Sequence, residues 1–181
     1  MPDLGIERMI NYLWRPTESH SPLEKYVIVD AARDHRIYPK LAGSDIEVVS
    51  LYRGDPEAEL ADVAPYLIKL QRKDPFTEWL LNNGWGQSWG IFLESSATLI
   101  ELRQHFRTFL MVYDEQGTPL YFRFYDPRVL RVYLPTCNES ELQTVFGPVS
   151  HFYVEGKEKN QLIEFYCNEK FELIRSVIDL Q

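Results

Sequence analysis

The sequence is poor in cysteine and has no clustered histidine. Cys137 and Cys167 fall at no metal-ligand spacing, and a secreted domain of 181 residues would ordinarily carry more. Reduced, structural thiols in a cytosolic protein are the expectation. His20, His35, His105 and His151 are scattered and form no H-x-x-x-H pair, so no metal site is expected. A G-x-S-x-G elbow is missing too: Gly84-Trp85-Gly86-Gln87-Ser88 lacks a nucleophile at its centre. Neither a Walker nor a dinucleotide glycine pattern occurs, and no cofactor is expected. The N-terminus has no basic stretch leading into an apolar one, so no signal peptide is expected. No apolar run approaches the roughly 18–20 residues that span a bilayer. Net positive charge is also absent. The formal charge of −8 and a pI near 5.0 argue against nucleic acid or an anionic membrane as the main partner.

What is present is apolar and aromatic. Hydrophobic residues make up 45% and aromatics 14%, enough to bury a core that offsets the ordering entropy of one domain. Ile6–Trp14 reads as an amphipathic helix, and the 17–22 stretch as a loop. Tyr26–Val29, Ile46–Leu51 and Ala64–Leu70 read as strands, the second closed by Arg53-Gly54-Asp55-Pro56 and the third placed at an edge by Pro65. Asp34–Leu41 reads as a helix cut short by Pro39. Asp74-Pro75 opens a helix that Asn82-Asn83-Gly84 stops. Trp89–Leu93 is a further strand, and Thr98 with Glu101 forms a capping box before the stripe Leu99, Leu102, Phe106, Phe109 and Leu110. A hairpin is expected between Leu110–Tyr113 and Leu120–Tyr125, and a helix over 138–146. A second hairpin is expected between His151–Glu155 and Leu162–Tyr166. In the tail, Phe171, Ile174, Val177 and Ile178 share one side of a helix. Together these predict an α/β fold: a mixed β-sheet with helices on both faces and a short C-terminal helical tail. The domain limits follow as 1–24 for an N-terminal helix and loop, 25–167 for the α/β domain and 168–181 for the C-terminal helix.

The segment Phe122-Arg123-Phe124-Tyr125-Asp126-Pro127-Arg128-Val129-Leu130 carries the most information. It reads as a buried strand ending at Asp126, which caps a helix beginning at Pro127. Arg128 and Arg131 then share a helix face. A buried Arg123 needs a carboxylate, because an unpaired buried charge is costly, and Asp30 after the first strand is the candidate. Two readings stand for these groups: ion pairs that fix strand to helix, or a ligand-facing crevice at the strand end. Trp85 is a further candidate, either as an anchor for a partner or as part of the core. Asp30, Asp126 and Arg128 also allow a small hydrolase or nucleotide-binding enzyme as the alternative.

The order of several segments completes the picture: Tyr26–Ala32, Ser50–Gly54, Asp62–Leu67, Trp89–Ser95, His105–Arg107, Phe122–Leu130 and Phe146–Pro148. This order resembles the effector adaptor-chaperone family of bacterial type VI secretion. The most specific parts are the R-F-Y-D-P-R-V-L string at 123–130 and A-P-Y-L at 64–67. The resemblance covers residues 25–150. It implies a cytoplasmic, non-catalytic protein that binds the N-terminal region of a toxin effector. Such a protein joins that effector to the VgrG spike, in some cases through a PAAR-type cap. On this reading Arg123, Tyr125, Asp126, Arg128, Arg131 and Trp85 are partner-binding or fold-defining. The resemblance also implies a longer helical C-terminal lobe, reduced here to the tail helix. An immunity protein that inhibits a toxin is the remaining alternative.

Overall fold

Short blocks of β-branched and aromatic residues, separated by well-capped helices, build one large sheet with a helical layer on each side. The computed structural model describes residues 4–17, 22–52 and 60–181. The expected turn at Arg53-Gly54-Asp55-Pro56 and most of the 17–22 loop lie outside the described residues. The helices are α1 (Leu4–Leu13), α2 (Ile37–Ala42), α3 (Pro75–Gly84), α4 (Leu99–Arg107), α5 (Pro127–Tyr133) and α6 (Glu139–Phe146). The strands are β1 (Glu24–Asp30), β2 (Val48–Ser50), β3 (Pro65–Leu70), β4 (Gly90–Ser95), β5 (Met111–Tyr113), β6 (Pro119–Tyr121), β7 (Val149–Glu155), β8 (Gln161–Cys167) and β9 (Leu173–Asp179).

Helix starts follow the local chemistry. Asp74 accepts from the Phe76 amide at 2.8 Å, with Pro75 as the first residue of α3. Reciprocal capping boxes open α4 (Thr98 with Glu101) and α6 (Asn138 with Glu141). Pro39 does not cut α2 short, because it falls in the helix's first turn, where its missing N–H costs no bond.

The sheet runs β2-β3-β1-β4-β7-β8-β9, with β5 and β6 forming a separate two-stranded ribbon. Every pairing among the described residues is antiparallel, so the sheet does not mix directions. Two connections skip a strand, since β3 lies between β1 and β2 and β1 lies between β3 and β4, and spacing along the sequence does not reveal this order. Pro65 opens β3 between β2 and β1 and not at a sheet edge. A proline is tolerated there because it is the strand's first residue. Gly90 opens β4 where the Ile28 carbonyl of β1 occupies the space a Cβ would need, a close approach that only glycine permits.

The two sheet faces carry separate cores. On one, Met9, Ile37, Leu41, Phe76 and Leu80 from α1, α2 and α3 pack on Val27, Val29, Ile68 and Phe92. On the other, Leu102, Phe106, Leu130, Leu142 and Phe146 from α4, α5 and α6 pack on Ile28, Leu67, Ile91, Phe152 and Phe165. The expected helical cover on both faces is therefore present.

Two expectations are corrected. Residues 168–181 form no helix and no reduced lobe, because β9 pairs with β8 along its whole length, from Cys167↔Leu173 to Gln161↔Asp179. Ile174, Val177 and Ile178 fit a helical stripe, but they are β-branched and follow a turn at Asn168–Phe171. The open edge of β8 offers them a full ladder of bonds. Likewise Phe122–Tyr125 is no strand. Strand β6 ends at Tyr121, and a turn closed by the Asp126 amide on the Arg123 carbonyl, at 3.0 Å, leads into α5.

Candidate partner-binding site

At the end of the sheet where β1 finishes, two buried carboxylates organise the chain. Asp126 caps α5, accepting from the Arg128 amide at 2.9 Å, and the Arg128 guanidinium grips the same carboxylate through Nε at 3.0 Å and Nη2 at 2.6 Å. Burial pushes the Asp126 carboxyl up, but these Arg128 bonds outweigh it and hold the group below its ordinary value. Asp30 accepts from the Ala32 amide at 3.0 Å, and its other oxygen pairs with Arg123, as the sequence suggested. The carboxylates are buried, whereas the Arg123 and Arg128 side chains are 47% and 50% exposed.

Arg131 and Trp85 both reach the β7–β8 turn. Arg131 Nη1 donates to the Glu155 and Gly156 carbonyls at 3.0 and 2.7 Å, and the Trp85 indole donates to the Lys159 carbonyl at 2.9 Å. The Glu155 carboxylate accepts from the Gly86 amide at 2.8 Å and the Ser88 amide at 3.1 Å. Burial nevertheless leaves its pKa raised. Arg131 thus ties the β7–β8 turn to α5, and Trp85 ties it to the loop before β4. Tyr125 is buried, with its hydroxyl pushed up by desolvation and by Tyr52 and Asp30 nearby. Among the six candidates, Arg123 and Arg128 are the most exposed, and Trp85 is half-buried beside a surface concavity that it lines with Lys159 and Leu180. Asp126 and Arg131 make their hydrogen bonds within the fold.

Asp126→Ala is expected to destabilise the protein by about 1–2 kcal/mol, the usual cost of losing a helix cap. Arg128→Ala should cost less, since the carboxylate keeps its backbone donor. Urea unfolding of both variants checks the order.

The expected hairpin forms just before this junction, as Met111–Tyr113 paired with Pro119–Tyr121, but its exposure was not foreseen. Strands β5 and β6 lie off the main sheet, and Met111, Val112, Tyr113, Leu120 and Tyr121 are all exposed, Tyr113 at 69%. The turn residues between them indicate a hairpin but do not show how exposed its side chains stay. Two concavities flank the ribbon. One, of about 380 Å³, is lined by Tyr52, Arg107, Leu110, Met111, Tyr113 and Tyr121. The other, of about 390 Å³, is lined by Phe109, Val112, Phe122, Tyr133, Thr144 and Val145. Arg107 floors the first by donating to the carbonyls of Leu51, at 2.9 Å, and Tyr52. The Tyr52 and Tyr121 rings lie 5.1 Å apart, and Tyr52 also sits in the field of Asp30 and Arg123. Tyr52 therefore stands between the first concavity, which it lines, and the Asp30–Arg123 pair, whose charges it senses.

A second cluster that the sequence did not reveal lies under α1. Lys25, Glu94, His151 and Tyr166 stand in register across β1, β4, β7 and β8. Glu94 is wholly buried, paired with Lys25 and 2.7 Å from His151 Nδ1. Next to this row, Glu164 accepts from Tyr12 and Arg15, both at 2.6 Å. Burial raises the Glu94 carboxyl, but its bonds to His151 and Lys25 prevail and bring it down to about 2 from an ordinary 4.5. A depressed folded-state pKa stabilises the fold fully above the unfolded value and is lost as pH falls through the folded one. Stability should therefore fall from about pH 4.5 towards 2, and Glu94→Gln should flatten that slope in a pH series of urea melts. Among the described residues, no group of three or more His, Cys, Asp or Glu side chains is arranged to hold a metal ion. None of the described helices is long and apolar enough to cross a membrane.

Comparison with known families gives one match. A family model described as Domain of unknown function (DUF4123) matches residues 25–144, well over half of the chain, from β1 through most of α6. No curated protein and no solved structure matches the chain.

Proposed function

The chain belongs to the DUF4123 domain family, and on that premise we propose that it is an adaptor chaperone of bacterial type VI secretion. In this role it works in the cytoplasm and without catalysis. It binds the N-terminal region of a toxin effector and joins it to the VgrG spike, directly or through a PAAR-type cap. The observation that supports the reading is the exposed aromatic ribbon near the arginine–aspartate rim, which lies inside the family span and whose Met111, Val112, Tyr113, Leu120 and Tyr121 side chains stay exposed among the described residues.

A large exposed apolar patch on a soluble domain marks an interaction site more often than an inert surface. The first concavity offers three tyrosines, the residue type enriched at binding hot spots. An amphipathic effector helix fits it with its apolar side on Met111, Tyr113 and Tyr121. Arg123 and Arg128 then face acidic residues at the end of that helix. Asp126, already gripped by three donors, is poorly placed to act as a general base.

Co-expression of the chain with the spike and effector genes of its own cluster tests the proposal. A stable complex of all three proteins is expected on purification, together with loss of effector delivery when the gene is removed. Recovery of neither partner, with normal delivery in the deletion strain, contradicts it.

A further inference from the structure

Strand β9 ends the sheet on one side, and among the described residues no strand pairs with its outer edge. Sheet edges are usually kept short or broken by proline or a bulge, because their unpaired backbone groups recruit other strands. The opposite edge follows that pattern, with β2 only three residues long. Strand β9 does not: it has seven residues, lacks proline and pairs with β8 without a register shift.

The direction of its free groups can be read from the ladder. The Leu180 amide donates to the Asn160 carbonyl at 2.7 Å, and the Asn168 amide to the Glu172 carbonyl at 3.1 Å. Both bonds involve even-numbered residues on the β9 side, so bonding to β8 alternates onto Ile174, Ser176 and Ile178. The amides and carbonyls of Leu173, Arg175, Val177 and Asp179 therefore point away from the sheet. On the same residues, Arg175, Val177 and Asp179 carry exposed side chains.

We propose that β9 is a self-association edge that pairs antiparallel with β9 of a second copy of this chain, about a two-fold axis at Val177. In that register Val177 exchanges reciprocal backbone bonds with its own symmetry mate. Arg175 lies directly opposite Asp179 of the second copy, and Asp179 opposite its Arg175. It is the only two-fold register that sets Arg175 against Asp179. Centring on Arg175 or Asp179 instead opposes like charges, which is unfavourable. The remaining residue-centred choices within the strand set charges against uncharged residues. Asn160 and the Gln181 amide already hold Asp179 through Oδ1, at 3.1 and 2.9 Å, which orients the carboxylate and leaves Oδ2 for the arginine. The result is a continuous fourteen-stranded sheet with an isologous interface. The ribbon β5–β6 takes no part in it, so the proposal stands or falls independently of effector binding.

Sedimentation velocity over a concentration series tests this on the full chain. The wild type is expected to move from monomer to dimer as concentration rises. Val177→Pro removes an outward amide that the fold itself does not use, and should leave a folded monomer, as checked by circular dichroism. Arg175→Asp and Asp179→Arg should each weaken the dimer by about tenfold or more, and the double variant should restore it. If Val177→Pro fails to fold, the charge exchange decides alone. A wild type that stays monomeric throughout, a folded Val177→Pro that still dimerises, or a double variant no tighter than the single ones would each overturn the proposal.

Discussion

Glu94→Ala is expected to lower the stability of the protein by about 3–5 kcal/mol, the range for breaking a buried ion pair by removing one partner. The carboxylate sits at the centre of the sheet, fully buried, with Lys25 on one side and His151 on the other. Truncation leaves the Lys25 ammonium almost out of reach of water and without a counter-charge, while also opening a cavity under α1. Glu94→Gln keeps the volume and some hydrogen bonding, so it should cost less than the alanine. Lys25→Met combined with Glu94→Leu should recover much of the loss, because replacing both charges by apolar groups removes the desolvation cost as well. Urea midpoints of the single and double variants give the coupling directly. Equal destabilisation by Glu94→Ala and the double replacement would show that the pair is not what holds this part of the sheet.

The second large effect concerns binding. Tyr113→Asp combined with Tyr121→Asp should reduce affinity for the effector's N-terminal region by about thirtyfold or more, the loss expected when central hot-spot aromatics become charged. Stability should change little, because Tyr113 is 69% exposed and Tyr121 is 54% exposed. Substitutions at such positions usually stay within about 0.5 kcal/mol. Val112→Asp, on the other face of the ribbon, is the internal comparison. Its affinity should stay within about threefold of wild type, since a contact outside the hot spot contributes little.

Local chemistry was readable and distant pairing was not. The caps at Asp74, Thr98 and Asp126 needed only a few neighbouring residues, and each forms as its sequence suggested. The Asp30–Arg123 pair was also within reach, because a charge between apolar neighbours demands a partner. The row from Lys25 to Glu94 and His151 could not be found that way. Lys25 and Glu94 meet only through strand register across 69 positions, and each looks unremarkable in its own segment. The tail failed for a related reason. Phe171, Ile174, Val177 and Ile178 satisfy a helical period, and only the unoccupied edge of β8 decides in favour of a strand. For the ribbon, the turn at Asp114–Gly117 located a hairpin but carried no sign that its side chains would stay exposed. The site's scaffold was therefore largely legible from 122–130, while its most exposed surface was not.

The central claim is that the ribbon face next to Arg123 receives an effector segment. Calorimetric titration of the purified chain with the N-terminal region of the toxin encoded beside its spike gene tests this most directly. Saturable binding by the wild type and by Val112→Asp, lost in the folded Tyr113→Asp/Tyr121→Asp variant, is the predicted result. No binding by the wild type, or undiminished binding by the double variant, would contradict it.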